Sequence, residues 1–226
     1  MIPLKGSVRI KRYPWVTVAI LTLNVAVYVY GLFLDPQAQS ILFLRAGAIP
    51  LELTQNRDFG PFANLVPVPF TIFTSLFLHA GFMHVAGNML YLWIFAQAIE
   101  DAMGRVRFFF FYLVSGVLAT SLHVLMNPSS QVPIVGASGA IAGILGAYMM
   151  LYPSARVRTL IFFFIFIRVI ELPAAVMLGY WFLLQLLGLS SGGGVAWYAH
   201  IGGFVAGLIL VRVFLPVQRP SRGWFG

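Results

Sequence analysis

Four polar side chains lie near the ends of segments that are otherwise apolar, and their types could carry out hydrolysis: His84, Asn88, Ser138 and His200. Such groups are costly inside a membrane and usually mark a functional site. A serine becomes a nucleophile when a histidine takes its proton, and further hydrogen-bond donors can stabilise the resulting oxyanion. This set predicts a serine hydrolase that works within a bilayer.

Ser138 is predicted to open a helix, between Gly136 and Gly139. Backbone N–H groups in the first turn of a helix have no intrahelical partner, and the helix dipole favours negative charge there. The Ser138 backbone amide is therefore expected to stabilise an oxyanion, while the two glycines leave space for a substrate carbonyl. The alternative is that Ser138 only belongs to a helix-packing face of small residues, formed with Gly139, Gly143 and Gly146.

His200 is the candidate general base for Ser138. Its helix carries Ala199, Gly203 and Gly207 at a spacing of four, and small residues so spaced permit the close approach of another helix. We expect the glycine face of the Ser138 helix to be that partner, which would bring the two polar side chains to hydrogen-bond distance. The alternative is a histidine bonded to a neighbouring carbonyl group.

His84 and Asn88 are four residues apart, so both fall on one face of a helix. Both side chains can donate hydrogen bonds, which suits an oxyanion hole, and the alternative is a bond that merely holds two helices together. His79 is predicted to anchor the loop before this helix, and His123 is predicted to be structural. No His-Glu-x-x-His pattern occurs, so neither a metal nor another cofactor is expected.

The composition places these residues in a membrane protein, because 60% of the chain is apolar and only 9% is charged. The net charge is +8, but the basic residues cluster in short segments between apolar runs, which indicates membrane topology rather than nucleic-acid binding. The chain contains no cysteine, which excludes disulfides and cysteine-ligated metals.

Six apolar runs are predicted to be membrane-spanning helices, since backbone groups in lipid must be hydrogen-bonded internally. The predicted fold class is therefore an all-α bundle of six spans. The spans are Trp15–Leu34, Met83–Ile99, Phe108–Met126, Ala137–Tyr152, Pro173–Leu189 and Trp197–Leu215. The run Val66–Leu78 is shorter and contains two prolines, which indicates an interfacial or re-entrant segment.

The apolar run Thr159–Leu172 determines the topology. It contains Arg168 and Glu171, three residues apart and able to pair on one face of a helix, and apart from Glu171 the spans are predicted to lack acidic residues. If this run does not cross the membrane, the Ser138 and His200 ends of their helices share one level. Without a nearby carboxylate, these two residues would form a Ser–His dyad.

Basic segments on alternate sides of successive spans place both termini in the cytoplasm. We therefore predict a cytoplasmic N-terminus at residues 1–14, a six-helix domain at residues 15–215, and a cytoplasmic tail at residues 216–226. The long first loop, residues 35–78, is predicted to be partly membrane-associated.

Taken together, the residue pattern resembles that of the rhomboid family of intramembrane serine proteases. The resemblance rests on His84 and Asn88 in the second span, Gly136-x-Ser138-Gly139 at the start of the fourth, and Ala199-His200-x-x-Gly203-x-x-x-Gly207 at the start of the sixth. It implies Ser138 as nucleophile and His200 as base, with His84, Asn88 and the Ser138 amide as oxyanion stabilisers.

The resemblance also implies a substrate class and a route of entry. Single-span membrane proteins would be cleaved near the outer end of their helix, and residues 173–189 would border a lateral entrance from the surrounding lipid. One position departs from the family pattern. Many members carry an aromatic residue that stacks on the catalytic histidine where this chain has Ala142, and Trp197 or Tyr198 are the candidate substitutes.

Two other functions compete with the protease. A non-catalytic rhomboid-like protein would bind or escort membrane helices, and a small transporter would line a pathway with its polar residues. Retention of the full polar set favours the enzyme, and no convincing internal repeat supports a transporter. A prokaryotic plasma membrane is the expected location.

Overall fold

The computed structural model describes residues 1–163, 166–190 and 194–216, so all but the first residue of the predicted cytoplasmic tail lies outside the described residues. The chain begins with strand β1 (Ile2–Gly6) and helix α1 (Trp15–Leu32), followed by α2 (Pro36–Ala46), α3 (Pro50–Gln55) and α4 (Thr71–Ser75). The remaining elements are α5 (Phe82–Met103), α6 (Arg105–Met126), α7 (Ser138–Leu151), β2 (Arg156–Phe163), β3 (Phe166–Pro173), α8 (Ala174–Gly188) and α9 (Trp197–Phe214).

All six predicted apolar helices are present, as α1 and α5 to α9, with ends that differ by a few residues from the predicted ones. Within the described residues, α1, α5, α6 and α9 are long and apolar enough to cross a membrane. Helices α7 and α8 are apolar but have only 14 and 15 residues. The protein is therefore an integral membrane protein, whereas the count of six spans and the cytoplasmic termini stay predictions.

The prediction of an all-α fold is wrong at Thr159–Leu172. This run belongs to an antiparallel hairpin of β2 and β3, and β1 pairs with β2 to give the strand order β1-β2-β3. The run is rich in β-branched and aromatic residues, which fit a pleated sheet better than a helix. In a strand Arg168 and Glu171 point to opposite faces, and Glu171 lies opposite Arg158 instead.

Helix α7 is the centre of the bundle, and every residue from 139 to 148 is buried. It packs against α9 at backbone distance. A Cβ atom added to Gly203 would overlap the Gly139 carbonyl oxygen, and one added to Gly207 would overlap the Gly143 carbonyl oxygen. The predicted contact between the two glycine faces is therefore present, and α7 and α9 can approach this closely because neither carries side chains at the crossing.

Glu100 lies in α5, at the end of the bundle opposite Ser138 and His200, and joins this helix to the start of α1. Its position corrects the prediction that the spans lack acidic residues apart from Glu171. Helix α5 continues past the predicted end, and this buried carboxylate accepts hydrogen bonds from the Val16 amide at 3.0 Å and the Thr17 amide at 2.8 Å. The Thr17 hydroxyl donates a third bond at 2.7 Å. Helix α1 follows Pro14 without a side-chain cap of its own, so Glu100 satisfies its free N–H groups.

The long first loop is folded and connects to the segment that precedes Ser138. Glu52 is buried and accepts hydrogen bonds from the Phe59 amide at 3.2 Å and the Asn64 side chain at 2.9 Å. Ala48 pairs with Ile134 in a short antiparallel bridge. The bridge at Ile134 therefore holds the segment that leads into α7 against the first loop.

Candidate active site

Ser138 and His200 meet at one end of the bundle. Ser138 is the first residue of α7, His200 lies in the first turn of α9, and the Ser138 Oγ is 2.8 Å from the His200 Nε2. The backbone packing of α7 on α9 sets this distance, because the two helices run side by side from the level of the two side chains. The arrangement allows the imidazole to take a proton from the hydroxyl.

The second ring nitrogen of His200 contacts a residue that sequence reasoning missed. The His200 Nδ1 lies 2.8 Å from the Oε1 of Gln185, a buried residue of α8. The Gln185 Nε2 in turn donates to the Trp181 carbonyl oxygen at 2.7 Å. A glutamine within the last turn of an apolar helix was the available signal, since a polar group there needs a partner.

Two tryptophan rings flank His200 where the small Ala142 supplies none. The ring centroids of Trp181 and Trp197 each lie 6.0 Å from the imidazole centroid, and Trp197 meets it edge to face. Of the two predicted substitutes, Trp197 is therefore beside His200. Tyr198 is not, because its ring packs against His123 with centroids 6.3 Å apart.

His84 and Asn88 face the backbone just before Ser138. A Cβ atom added to Gly136 would lie 2.6 Å from the His84 Nε2 and 3.6 Å from the Asn88 Nδ2. Gly136 also has a φ of +120°, which L side chains rarely adopt. The Gly136 amide donates to the Ser75 carbonyl oxygen at 2.9 Å, which ties this turn to α4. Glycine at this position thus leaves room for two hydrogen-bond donors next to Ser138.

His79 contacts both His84 and Asn88, in addition to its predicted role as an anchor of the first loop. Its Nε2 lies 2.9 Å from the Asn88 Nδ2, and its ring packs edge to face on His84 with centroids 5.0 Å apart. Burial lowers the pKa of His79 to about 4, and the neighbouring His84 adds to this effect. The ring is therefore neutral at pH 7, accepts a bond from Asn88 and leaves the second amide N–H of Asn88 for another acceptor.

Gly139 and Gly143 let α7 pack closely against α6. A Cβ atom on Gly139 would lie 2.8 Å from the Ala119 Cβ of α6, and one on Gly143 would lie 2.5 Å from the Ser115 Cβ. The missing side chain of Gly139 therefore makes room for α6. Gly139 also lines the cavity beside Ser138, and the space that Gly136 and Gly139 would leave for a substrate carbonyl stays a prediction.

His84, Asn88, Ser138 and His200 line a cavity of about 920 Å³. His123, the residue predicted to be structural, lines it as well. Apolar side chains such as Leu76, Met83 and Leu189 form other parts of the wall. An apolar cavity with a few convergent polar groups is the usual form of a binding site. Within the described part of the chain, no group of three or more His, Cys, Asp or Glu side chains is placed to hold a metal ion.

Comparison with known proteins identifies relatives along most of the chain. A family model described as the rhomboid domain matches residues 68–217. RHOMBOID-like protein 1 of Arabidopsis thaliana is 29% identical over 94% of this chain and 56% of its own length. Rhomboid protease GluP of Bacillus subtilis is 31% identical over 69% of this chain and 27% of its own length. Rhomboid protein 1, mitochondrial, of Saccharomyces cerevisiae is 30% identical over 62% of this chain and 40% of its own length.

Proposed function

The chain belongs to the rhomboid family, and from this premise we propose that it is an intramembrane serine endopeptidase that uses a Ser138–His200 dyad. The observation that carries the proposal is the 2.8 Å distance between the Ser138 Oγ and the His200 Nε2 at the wall of a large cavity. The chain spans between about a quarter and somewhat more than half the length of the relatives named above. Its activity and its substrates are therefore proposals.

In the proposed acylation step, the Ser138 Oγ attacks the carbonyl carbon of the scissile peptide bond while the His200 Nε2 takes the hydroxyl proton. The carbonyl π electrons move to oxygen, and the resulting oxyanion accepts bonds from the Ser138 amide, His84 and Asn88. The His200 imidazolium then gives its proton to the leaving nitrogen as the C–N bond breaks. An ester of Ser138 and one free amine product are formed.

In the proposed deacylation step, a water molecule gives a proton to the His200 Nε2 as its oxygen attacks the ester carbonyl. Collapse of the second oxyanion breaks the bond to the Ser138 Oγ, which recovers its proton from the imidazolium. The second product leaves as a carboxylic acid, so every proton taken up is returned and no cofactor is required.

The proposed substrates are single-span membrane proteins. The cavity is bounded by helices that are apolar on their exposed faces, including Leu183, Leu184 and Leu187 of α8, so a substrate helix would reach it from surrounding lipid. The proposed location is a prokaryotic plasma membrane. Relatives in Bacillus subtilis and in mitochondria both match, and membrane fractionation of the source cells would test the location.

Proteolysis of a single-span reporter protein by the purified protein tests the proposal. The parent should cleave the reporter, and Ser138→Ala and His200→Ala should each lower the rate by at least about 1,000-fold, because each removes a group that acts only in the chemical step. Ser121→Ala on α6 is the matched control and should cleave at the parent rate. Equal cleavage by the parent and both dyad variants would contradict the proposal. A parent that binds the reporter without cutting it would favour the non-catalytic function.

A further inference from the structure

We infer that Gln185 is a positioning residue that fixes the tautomer and the ring plane of His200. The inference rests on the proposed function, since it concerns the residue proposed there as general base. It is carried by a chain of three hydrogen bonds that runs from the α8 backbone to Ser138: Trp181, Gln185, His200, Ser138.

The donor and the acceptor in each of these hydrogen bonds follow from the Trp181 carbonyl group. A backbone carbonyl oxygen can only accept, so the Gln185 atom 2.7 Å from the Trp181 oxygen must be the amide nitrogen. The amide oxygen therefore faces His200 and can only accept in its turn. The Nδ1 at 2.8 Å must carry the proton, and the Nε2 of a neutral ring is left with its lone pair directed at the Ser138 hydroxyl.

The opposite tautomer would place a proton on the Nε2, and the ring could not then act as a base toward Ser138. In the part of the chain that the structure describes, the Gln185 oxygen is the hydrogen-bond acceptor that faces the Nδ1. Ala142 offers no ring to hold the imidazole plane, and Trp181, one turn away from Gln185 on the same helix, stands beside it. Helix α8 thus supplies the acceptor for the Nδ1 and one of the two flanking rings, and Trp197 of α9 supplies the other ring.

The acceptor is a neutral amide, where soluble serine hydrolases commonly use a carboxylate. An amide oxygen fixes the tautomer but adds no full negative charge to stabilise the imidazolium that forms during the reaction. Exchange for glutamate therefore separates the two effects, because Gln185→Glu retains an oxygen toward the Nδ1 and adds charge. The exchange also removes the N–H that donates to the Trp181 carbonyl oxygen. The other titratable side chains that line the cavity are His84 and Tyr91 of α5, His123 of α6 and Tyr198 of α9, and this exchange leaves all four in place.

Nitrogen-15 NMR of the histidine side chains is the direct test and needs no substrate. The protonated and unprotonated nitrogens of a neutral imidazole differ widely in chemical shift, and the four histidines can be assigned by single replacement. At pH 8 the His200 ring of the parent should carry its proton on the Nδ1, and Gln185→Leu should lose this preference. A parent with the proton on the Nε2, or an unchanged spectrum in Gln185→Leu, would overturn the inference whether or not the protein proves to be a protease.

Kinetics give the second test, with purified full-length protein and the reporter described above. Gln185→Leu should lower kcat about 10- to 100-fold with little change in KM, because it leaves a buried N–H without its acceptor. Gln185→Glu should recover most of this loss and move the acidic limb of the pH–rate profile to higher pH.

Gln97→Leu is the matched control, since Gln97 makes the same bond to the carbonyl four residues before it, at Trp93 on α5, away from the cavity. This variant should keep the parent rate and the parent pH profile. A Gln185→Glu enzyme as slow as Gln185→Leu, or a Gln185→Leu enzyme with the parent rate, would contradict a positioning role. Loss of folding in Gln185→Leu alone would leave the glutamate variant and the NMR spectrum of the parent to decide.

Discussion

Helix α9 packs against α7 and against α8 in different ways. Toward α7 the contact is backbone to backbone, with Gly203 and Gly207 set against the carbonyl oxygens of Gly139 and Gly143. Toward α8 the contact is made by side chains. The Phe182 ring stacks on Phe204 with centroids 4.6 Å apart, and the Trp181 ring lies 6.0 Å from the same partner.

A Ser–His pair needs a short distance between its two side chains and a fixed orientation of the imidazole ring. Different helix contacts provide the two. The distance between the Ser138 Oγ and the His200 Nε2 depends on α7 and α9, whose backbones are already in contact and cannot come closer without a clash. The orientation of the His200 ring depends on α8, which is attached through rings and one polar chain. Side chains can adopt other rotamers at modest cost. The α8–α9 contact should therefore tolerate substitutions that the α7–α9 contact does not.

The largest effect is expected at the backbone contact. Gly207→Ala should lower the free energy of unfolding by about 3 kcal/mol, because its Cβ would overlap the Gly143 oxygen and force the two helices apart. Thermal or denaturant unfolding in detergent micelles measures this change. A variant with the stability of the parent would mean that the α7–α9 contact is looser than described here.

An intermediate effect is expected where α8 meets Trp197. A Cβ atom on Gly188 would lie 2.5–2.7 Å from atoms of the Trp197 indole ring, which can turn away where a backbone carbonyl cannot. Gly188→Ala should therefore cost about 1 kcal/mol in the same unfolding assay. A loss as large as that of Gly207→Ala would remove the distinction between the two contacts.

The smallest effect is expected at Gly179 of α8. Among the residues that the structure describes, no heavy atom lies within 4 Å of a Cβ added there. Because alanine is the better helix former, Gly179→Ala should leave stability unchanged or raise it by up to about 1 kcal/mol. A clear destabilisation would show that this face of α8 packs against something in the membrane.

Hydropathy and residue spacing predicted the parts of the fold that depend on local sequence. The six apolar helices follow from the length of the apolar runs, and the α7–α9 contact follows from glycines repeated at a spacing of four. The β2–β3 hairpin could not be identified in this way, because a short apolar run fits a buried helix as well as a strand. Its β-branched and aromatic residues were the signal that favoured a sheet.

The polar residues of the candidate site were predicted from the sequence, but the residue that orients His200 was not. Ser138, His200, His84 and Asn88 stand out as polar residues in apolar segments. Gln185 lies 15 residues from His200, and its role depends on how α8 packs on α9, which spacing along the chain does not reveal.

Two further contacts were not predicted either, one beside the candidate site and one at the other end of the bundle. His79 reaches Asn88 across the turn that precedes α5. Glu100 caps a helix that begins more than eighty residues earlier in the chain. Tertiary packing determines which groups meet in both cases, so neither could be found from local patterns.

Labelling with a fluorophosphonate, followed by mass spectrometry of the peptides, tests the central claim most directly. The reagent reacts with serines that a nearby base has activated. We expect a covalent adduct on Ser138 in the parent protein, none in Ser138→Ala, and much slower formation in His200→Ala. An intact parent that stays unlabelled, or an adduct on another serine at the same rate in all three proteins, would contradict it.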